Sequence, residues 1–183
     1  SVVLTLMVSV PLGVLSAVRK GSWCDSLAGG LSFLGNAMPN FFVAILLIYL
    51  LAVKLKWFPA VSVGTSPSVA LPAVTLAIAM SAKYTRQIRG VVLSELGKGY
   101  VMGARARGVS EGTILWKSVI PMASPAIVTL LAISIGSLLS GTAVVETIFL
   151  WDGVGKLAVD AIMQRDYPII QAYVVWMAGI YIL

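Results

Sequence analysis

Five apolar runs constrain this chain more than any other feature: Ser1–Val18, about Leu31–Val53, Ala73–Ala82 with an amphipathic extension to Leu96, roughly Pro121–Val145, and a last one beginning near Pro168. A backbone in hydrocarbon finds no water to bond its N–H and C=O groups, so a spanning element must satisfy itself as a helix or a closed barrel. The runs are continuous and do not alternate with period two, which argues against barrel strands. With 59% of residues hydrophobic and 11% charged, the chain lies well beyond the near-half apolar share of soluble domains. These features predict an all-α, polytopic transmembrane helical bundle with about five membrane segments. Residues 1–183 read as a single transmembrane domain, without a repeat or low-complexity tract.

Ser1–Val18 resembles a signal peptide in hydropathy but has no charged n-region and no initiating methionine. A helix from Pro168 to Leu183 would rise about 24 Å, short of the roughly 30 Å of hydrocarbon. Both ends are therefore expected to be cut from a longer protein.

The charges set an orientation. The loops on one side carry Arg19, Lys20, Lys83, Arg86, Arg89, Lys98, Arg105, Arg107 and Lys117; those on the other carry Lys54, Lys56, Lys156 and Arg165. The positive-inside rule places 19–30 and 83–120 in the cytoplasm, with 54–68 and 146–167 outside. Basic residues flanking apolar spans are topological signals, so the net charge of +6 does not point to nucleic acid. The chain has no histidine and the single cysteine Cys24, which removes an internal disulfide, a structural zinc cluster and histidine acid–base chemistry.

The cytoplasmic loop from about Ala82 to Ile120 is far longer than the connections usual in helical bundles, and is expected to have a task. Tyr100–Arg107 can form two helical turns, with Tyr100 and Ala104 on one face and Gly108 as the stop. Ser110 can cap a second short helix with Glu111 in its first turn. Arg105 and Arg107 project to nearly opposite sides, and small Ala104 and Ala106 would let another protein approach closely.

The spacing Ala104, Gly108 four residues on, and Pro121 thirteen after that is similar to the cytoplasmic loop of ABC-importer permeases: Glu-Ala-Ala, three residues, Gly, nine residues, Ile-x-Leu-Pro. Met102, Gly103 and Ser118 depart from the usual Glu, Ala and Ile. The form Tyr-Val-x-x-Ala-Arg-Ala-x-Gly resembles the peptide and nickel branch. Met38-Pro39-Asn40-Phe41-Phe42 resembles the start of that branch's cytoplasm-to-outside helix, and Leu71-Pro72-Ala73 that of the next. Glu146-Thr147-Ile148-Phe149, Gly153-Val154-Gly155 and Asp166-Tyr167-Pro168 resemble the outer region of the first permease subunit of dipeptide, oligopeptide and nickel importers, with Asp152 in place of a proline.

The resemblance implies a coupling helix within about 97–120 that docks on a separate ATPase, through Tyr100, Ala104, Arg105, Ala106, Arg107, Gly108 and Pro121. It implies as partners a homologous second permease subunit, two cytoplasmic ATPase subunits, an extracytoplasmic substrate-binding protein and membrane lipid. ATP and magnesium would sit on the ATPase, and no cofactor on this chain. Gly97-Lys98-Gly99 and Gly155-Lys156-Leu157 each lack the Ser or Thr and the leading glycine of a P-loop.

Other positions carry two readings. Lys83, Arg86 and Arg89 form a drifting stripe expected to snorkel and meet headgroups. Ser134, Ser137 and Gly141, with Gly136 and Ser140, make a small-residue face suited to helix packing or to lining a pathway. Pro39, Ser137, Gly141, Glu146, Gly153, Gly155 and Asp166 are the pathway or outer-loop candidates, with both glycines expected in turns and the outer acids expected in solvent. A self-contained channel or secondary transporter would show ionisable residues at mid-span, which these segments lack. An intramembrane enzyme would need a nucleophile elbow or paired aspartates, also missing. Peptide is the favoured substrate over chelated nickel, which would need no imidazole ligand.

Overall fold

A computed structural model of the chain describes residues 1–58 and 69–183, and of residues 137 and 139–141 only the backbone. The described residues are helices joined by short turns, with no strand among them. In order they are α1 (Val2–Val18), α2 (Trp23–Ala37), α3 (Asn40–Leu47) with a π-helical continuation Ile48–Lys54, α4 (Ala70–Leu96), α5 (Gly99–Ala106), α6 (Glu111–Ile114) with a π-helical continuation Leu115–Val119, α7 (Ile120–Gly141), α8 (Ala143–Ile148), α9 (Val154–Gln164) and α10 (Tyr167–Ile182). The expected outer loop 62–68 lies outside the described residues.

Burial differs from that of a soluble protein in what lies outside the cores. Thr5, Ser9, Ser16, Asp25, Thr75, Thr85, Glu95 and Ser134 are buried, whereas Leu31, Phe33, Leu34, Val128 and Val175 are exposed. On α2 the contrast is complete: Asp25 and Ser32 are the buried side chains, while Leu27, Leu31 and Leu34 face outward. Exposed apolar faces beside buried small and polar side chains are what a lipid-embedded helix presents, because close packing through small residues replaces the hydrophobic drive between helices.

Two compact units are present. One comprises residues Val2–Ala37 and Met80–Ala132. Its core joins Val14 and Ala17 of α1, Tyr84, Ile88 and Val92 of α4, Val101 and Ala104 of α5, Ile114 of α6, and Val119 and Ala123 at the start of α7. The other comprises Met38–Ala79 and Ile133–Leu183, together with Ser1, and is centred on Ala44, Leu71, Val145 and Phe149.

The spans differ from their sequence-based outlines. The expected second span, 31–53, is not one helix. It breaks at Met38–Pro39, where Pro39 is extended (φ −62°, ψ 145°) and starts α3; proline lacks an N–H, and its ring would strike the carbonyl four residues back. The expected fourth span begins ten residues early, since helix runs without a gap from Glu111. Pro121 and Pro125 therefore lie within that helix and not in its first turn. Their carbonyls accept hydrogen bonds from Ser124 Oγ (2.8 Å) and Thr129 Oγ1 (2.9 Å). Among the described residues, Glu111–Gly136 is the one unbroken helix both long and apolar enough to cross a membrane, while α1 and α10 are apolar but shorter. α10 begins where expected: Pro168 is in its first turn, and the Asp166 carboxylate accepts from the Ile169 N–H at 3.3 Å.

Candidate functional site

The expected loop 82–120 is helical almost throughout: α4 runs on to Leu96 and α5 follows after two residues. Two anchors hold α5. At its start, Glu95, buried at the end of α4, accepts from Lys98 Nζ at 2.7 Å and Tyr100 Oη at 3.1 Å. The Lys98 ammonium holds the Glu95 carboxyl below its ordinary value, and burial pushes the Tyr100 phenol up. On its inner face, Val101 and Ala104 are buried against α4 and α6.

Its end is fixed as firmly. Gly108 has φ +75°, the left-handed conformation in which a side chain is strained. Its N–H bonds to the Arg105 carbonyl (2.9 Å), and the Val109 N–H to the Ala104 carbonyl (3.2 Å); this paired closure is the Schellman motif. Across the turn, Arg105 grips Glu111 with two bonds, Nε to Oε1 at 2.6 Å and Nη2 to Oε2 at 3.0 Å. The short helix is thus clipped at both ends and leads through the π-helical turn Leu115–Val119 into Pro121 and the apolar helix α7.

These contacts correct several sequence-based expectations. Ala104 does not present a small face to another protein; it packs into the chain's own core. Arg105 is occupied by Glu111. The face of α5 left open consists of Tyr100, Met102, Ala106 and Arg107, with Met102 63% exposed. Ser110 does occupy the N-cap position of α6, yet its hydroxyl bonds to that of Thr113 at 2.9 Å and caps no backbone N–H.

Arg89 departs from its stripe. It donates to Asp25 through Nε (2.6 Å) and Nη2 (2.7 Å), and its Nε also meets Ser16 Oγ at 3.0 Å. Asp25 further accepts from Ser16 Oγ (2.5 Å) and the Gly21 N–H (2.9 Å). One carboxylate therefore ties α1, the α1–α2 turn, α2 and α4 together beneath the core that carries α5. Sequence reasoning missed this junction, whose partners are 64 residues apart; the available signal was a lone acid in the first turn of an otherwise uncharged helix.

The outer region is not the open loop expected of 146–166. It forms α8 and α9, which pack on each other. Gly155 is not in a turn but inside α9, where an added Cβ would lie 2.7 Å from Ala143 Cα. Gly153 is the extended N-cap of α9. Glu146 turns inward and accepts from the Lys156 N–H at 2.9 Å, capping α9; Asp152 pairs with Lys156 at 2.7 Å. Of the small-residue face on α7, Ser134 is buried and Gly136 sits against the Tyr181 ring of α10, both packing contacts. Of Ser137 and Gly141 only the backbone is described. The structure thus gathers the α5 candidates around one turn and the outer candidates Glu146, Gly153 and Gly155 around another.

Gly155→Ala is expected to destabilise the α8–α9 pair by about 1–3 kcal/mol, because backbone and not a flexible side chain must give way. Urea or thermal unfolding of the detergent-solubilised protein measures this, and an unchanged midpoint would contradict the close approach.

Residues 9–183 match the family model described as binding-protein-dependent transport system inner membrane component. The oligopeptide transport system permease protein AppB of Bacillus subtilis (strain 168) is 41% identical over 185 residues, covering 96% of this chain and 58% of that protein. The probable peptide ABC transporter permease protein y4tP of Sinorhizobium fredii is 35% identical, covering 100% and 61%. The glutathione transport system permease protein GsiC of Escherichia coli (strain K12) is 34% identical, covering 100% and 60%. The chain thus spans about three fifths of the length of these relatives. Among solved structures, a chain of the MetNI methionine ABC transporter in inward-facing conformations superimposes with a TM-score of 0.75 at 18% identity, covering 98% of this chain and 82% of that one. At that identity the likeness is one of fold.

Proposed function

Because this chain belongs to the family of binding-protein-dependent transport system inner membrane components, we propose that it is the permease part of an ATP-binding-cassette importer for peptides, in a bacterial or archaeal cytoplasmic membrane. It carries no catalytic centre of its own in this reading. Two cytoplasmic ATPase subunits hydrolyse ATP with magnesium, a homologous permease completes the pathway, and an extracytoplasmic binding protein delivers the peptide.

The observation that carries this reading is the clipped short helix α5. A helix of eight residues is marginal by itself in water. Here Val101 and Ala104 bury one face, Gly108 closes the end and Arg105–Glu111 staples the turn, leaving Tyr100, Met102, Ala106 and Arg107 outward. Such a helix transmits a push from an outside partner into α4 and α7 without dissipating it in loop motion. Peptide is favoured as substrate because oligopeptide, peptide and glutathione are the cargoes named for the relatives. Uptake competition between short peptides and nickel chelates separates that choice from nickel.

Met102→Asp and Ala106→Asp test the docking directly. Both side chains already face solvent, so insertion and thermal stability should stay near wild type. Co-purification of the ATPase subunits with the full-length permease should fall at least about tenfold, as expected for loss of central interface anchors. Wild-type ATPase retention and peptide-stimulated hydrolysis in both variants would refute α5 as the docking element. A channel or secondary transporter would instead take up peptide in vesicles without ATP.

A further inference from the structure

The net charge of +6 is confined to one part of the molecule. The unit that bears α5 holds nine lysines and arginines against three acids, whereas the other holds four of each. All three acids of the charged unit are engaged internally: Asp25 by Arg89, Glu95 by Lys98 and Glu111 by Arg105. Arg19, Lys20, Lys83, Arg86, Arg107 and Lys117 remain, all exposed, with no ion-pair partner among the described residues.

Each of these six lies within three residues of a side chain buried in the unit's single core, namely Ala17, Tyr84, Ile88, Ala104 or Val119, so all six are carried on the frame of one core. Exposed apolar side chains stand beside them: Leu15 and Val18 precede Arg19, and Trp116, 69% exposed, precedes Lys117. Cations whose stems lie along apolar surface while their heads reach outward mark the boundary between hydrocarbon and headgroups. A soluble acidic protein would match the charge but leave that apolar surface uncovered. Six exposed like charges with no acid of their own unit to balance them attract anions from outside the chain.

We propose that this unit binds anionic phospholipid headgroups of the cytoplasmic leaflet through Arg19, Lys20, Lys83, Arg86 and Lys117, with Arg107 left to the docking face of α5, and that transport depends on such lipids. The inference rests on the membrane placement of the chain and not on the docking of α5.

The test uses the full-length permease assembled with its partner subunits in nanodiscs of phosphatidylcholine alone or with about a quarter phosphatidylglycerol, near the anionic content that gives membranes an attractive surface potential. Retained lipid is read by mass spectrometry after delipidation, and ATP-driven uptake in matching vesicles. Wild type should retain phosphatidylglycerol preferentially and transport several-fold faster with it. Lys83→Gln/Arg86→Gln should lower the preference roughly fivefold per cation removed. Lys54→Gln/Lys56→Gln, in the neutral unit, should leave it unchanged. Equal phosphatidylglycerol retention by wild type and the Lys83/Arg86 variant would overturn the proposal. So would equal wild-type activity in both lipids, or loss of the ATPase subunits from that variant with its lipid preference intact, which would assign these cations to a protein partner.

Discussion

Asp25→Ala is expected to lower the apparent melting temperature of the purified protein by about 5 °C, since it removes the charged acceptor shared by Arg89, Ser16 and Gly21, while the Arg89 guanidinium left behind keeps part of its access to solvent. The variant leaves the Arg89 guanidinium without its anion and deprives Ser16 Oγ and the Gly21 N–H of their acceptor. Asn in place of Asp keeps acceptor capacity but only one oxygen, so it should fall between Ala and wild type. Lys in place of Arg89 cannot reproduce the two-pronged grip, because an ammonium is a point charge and the guanidinium a planar fork. Differential scanning fluorimetry of the four proteins checks the order wild type, Asp25→Asn, Arg89→Lys near Asp25→Asn, then Asp25→Ala. A melting point for Asp25→Ala within about 1 °C of wild type would show that the junction carries no stability.

Ala104→Phe should abolish ATP-driven uptake, and for a reason different from docking. The methyl of Ala104 is buried against α4 and α6, and its carbonyl receives the Val109 N–H that closes α5. A phenyl ring there overfills a packed site at a cost of about 1–3 kcal/mol, enough to pry a two-turn helix from its support. Amide hydrogen exchange across 99–110 should accelerate markedly. Ala106→Phe, two residues away on the open face, should leave exchange unchanged. If Ala104→Phe exchanged like wild type yet failed to couple, Ala104 would touch a partner after all, and the inward placement would be wrong.

The sequence was most legible where local chemistry decides the outcome. Gly108 stops α5 because only glycine adopts that backbone angle freely, and Pro168 opens α10 by a rule that acts within one turn. Pro39 was legible as a helix start from family resemblance, while hydropathy alone ran straight through it: apolar content measures solvent preference and is blind to a missing N–H. The facing of side chains was harder. In a lipid-embedded chain apolar side chains also turn outward, so apolar content does not tell the core face from the lipid face, and the inward placement of Ala104 was not read from its size. The pairing of Asp25 with Arg89 was invisible because sequence spacing reports neighbours along a helix, not across a core. The outer helices α8 and α9 were read as loop because glycines at 153 and 155 look like turn residues until Ala143 is seen pressed against one of them.

The π-helical turn Leu115–Val119 has a mechanical corollary. Each residue of an α-helix advances the chain 1.5 Å and swings it about 100°, so a wide turn inserted between α6 and α7 sets the azimuth at which the whole membrane-crossing rod leaves its base. Tightening that turn to ordinary α geometry would rotate every side chain beyond it about the rod's axis without shifting the base itself. A small local winding change would then become a change in which residues confront the neighbouring rods.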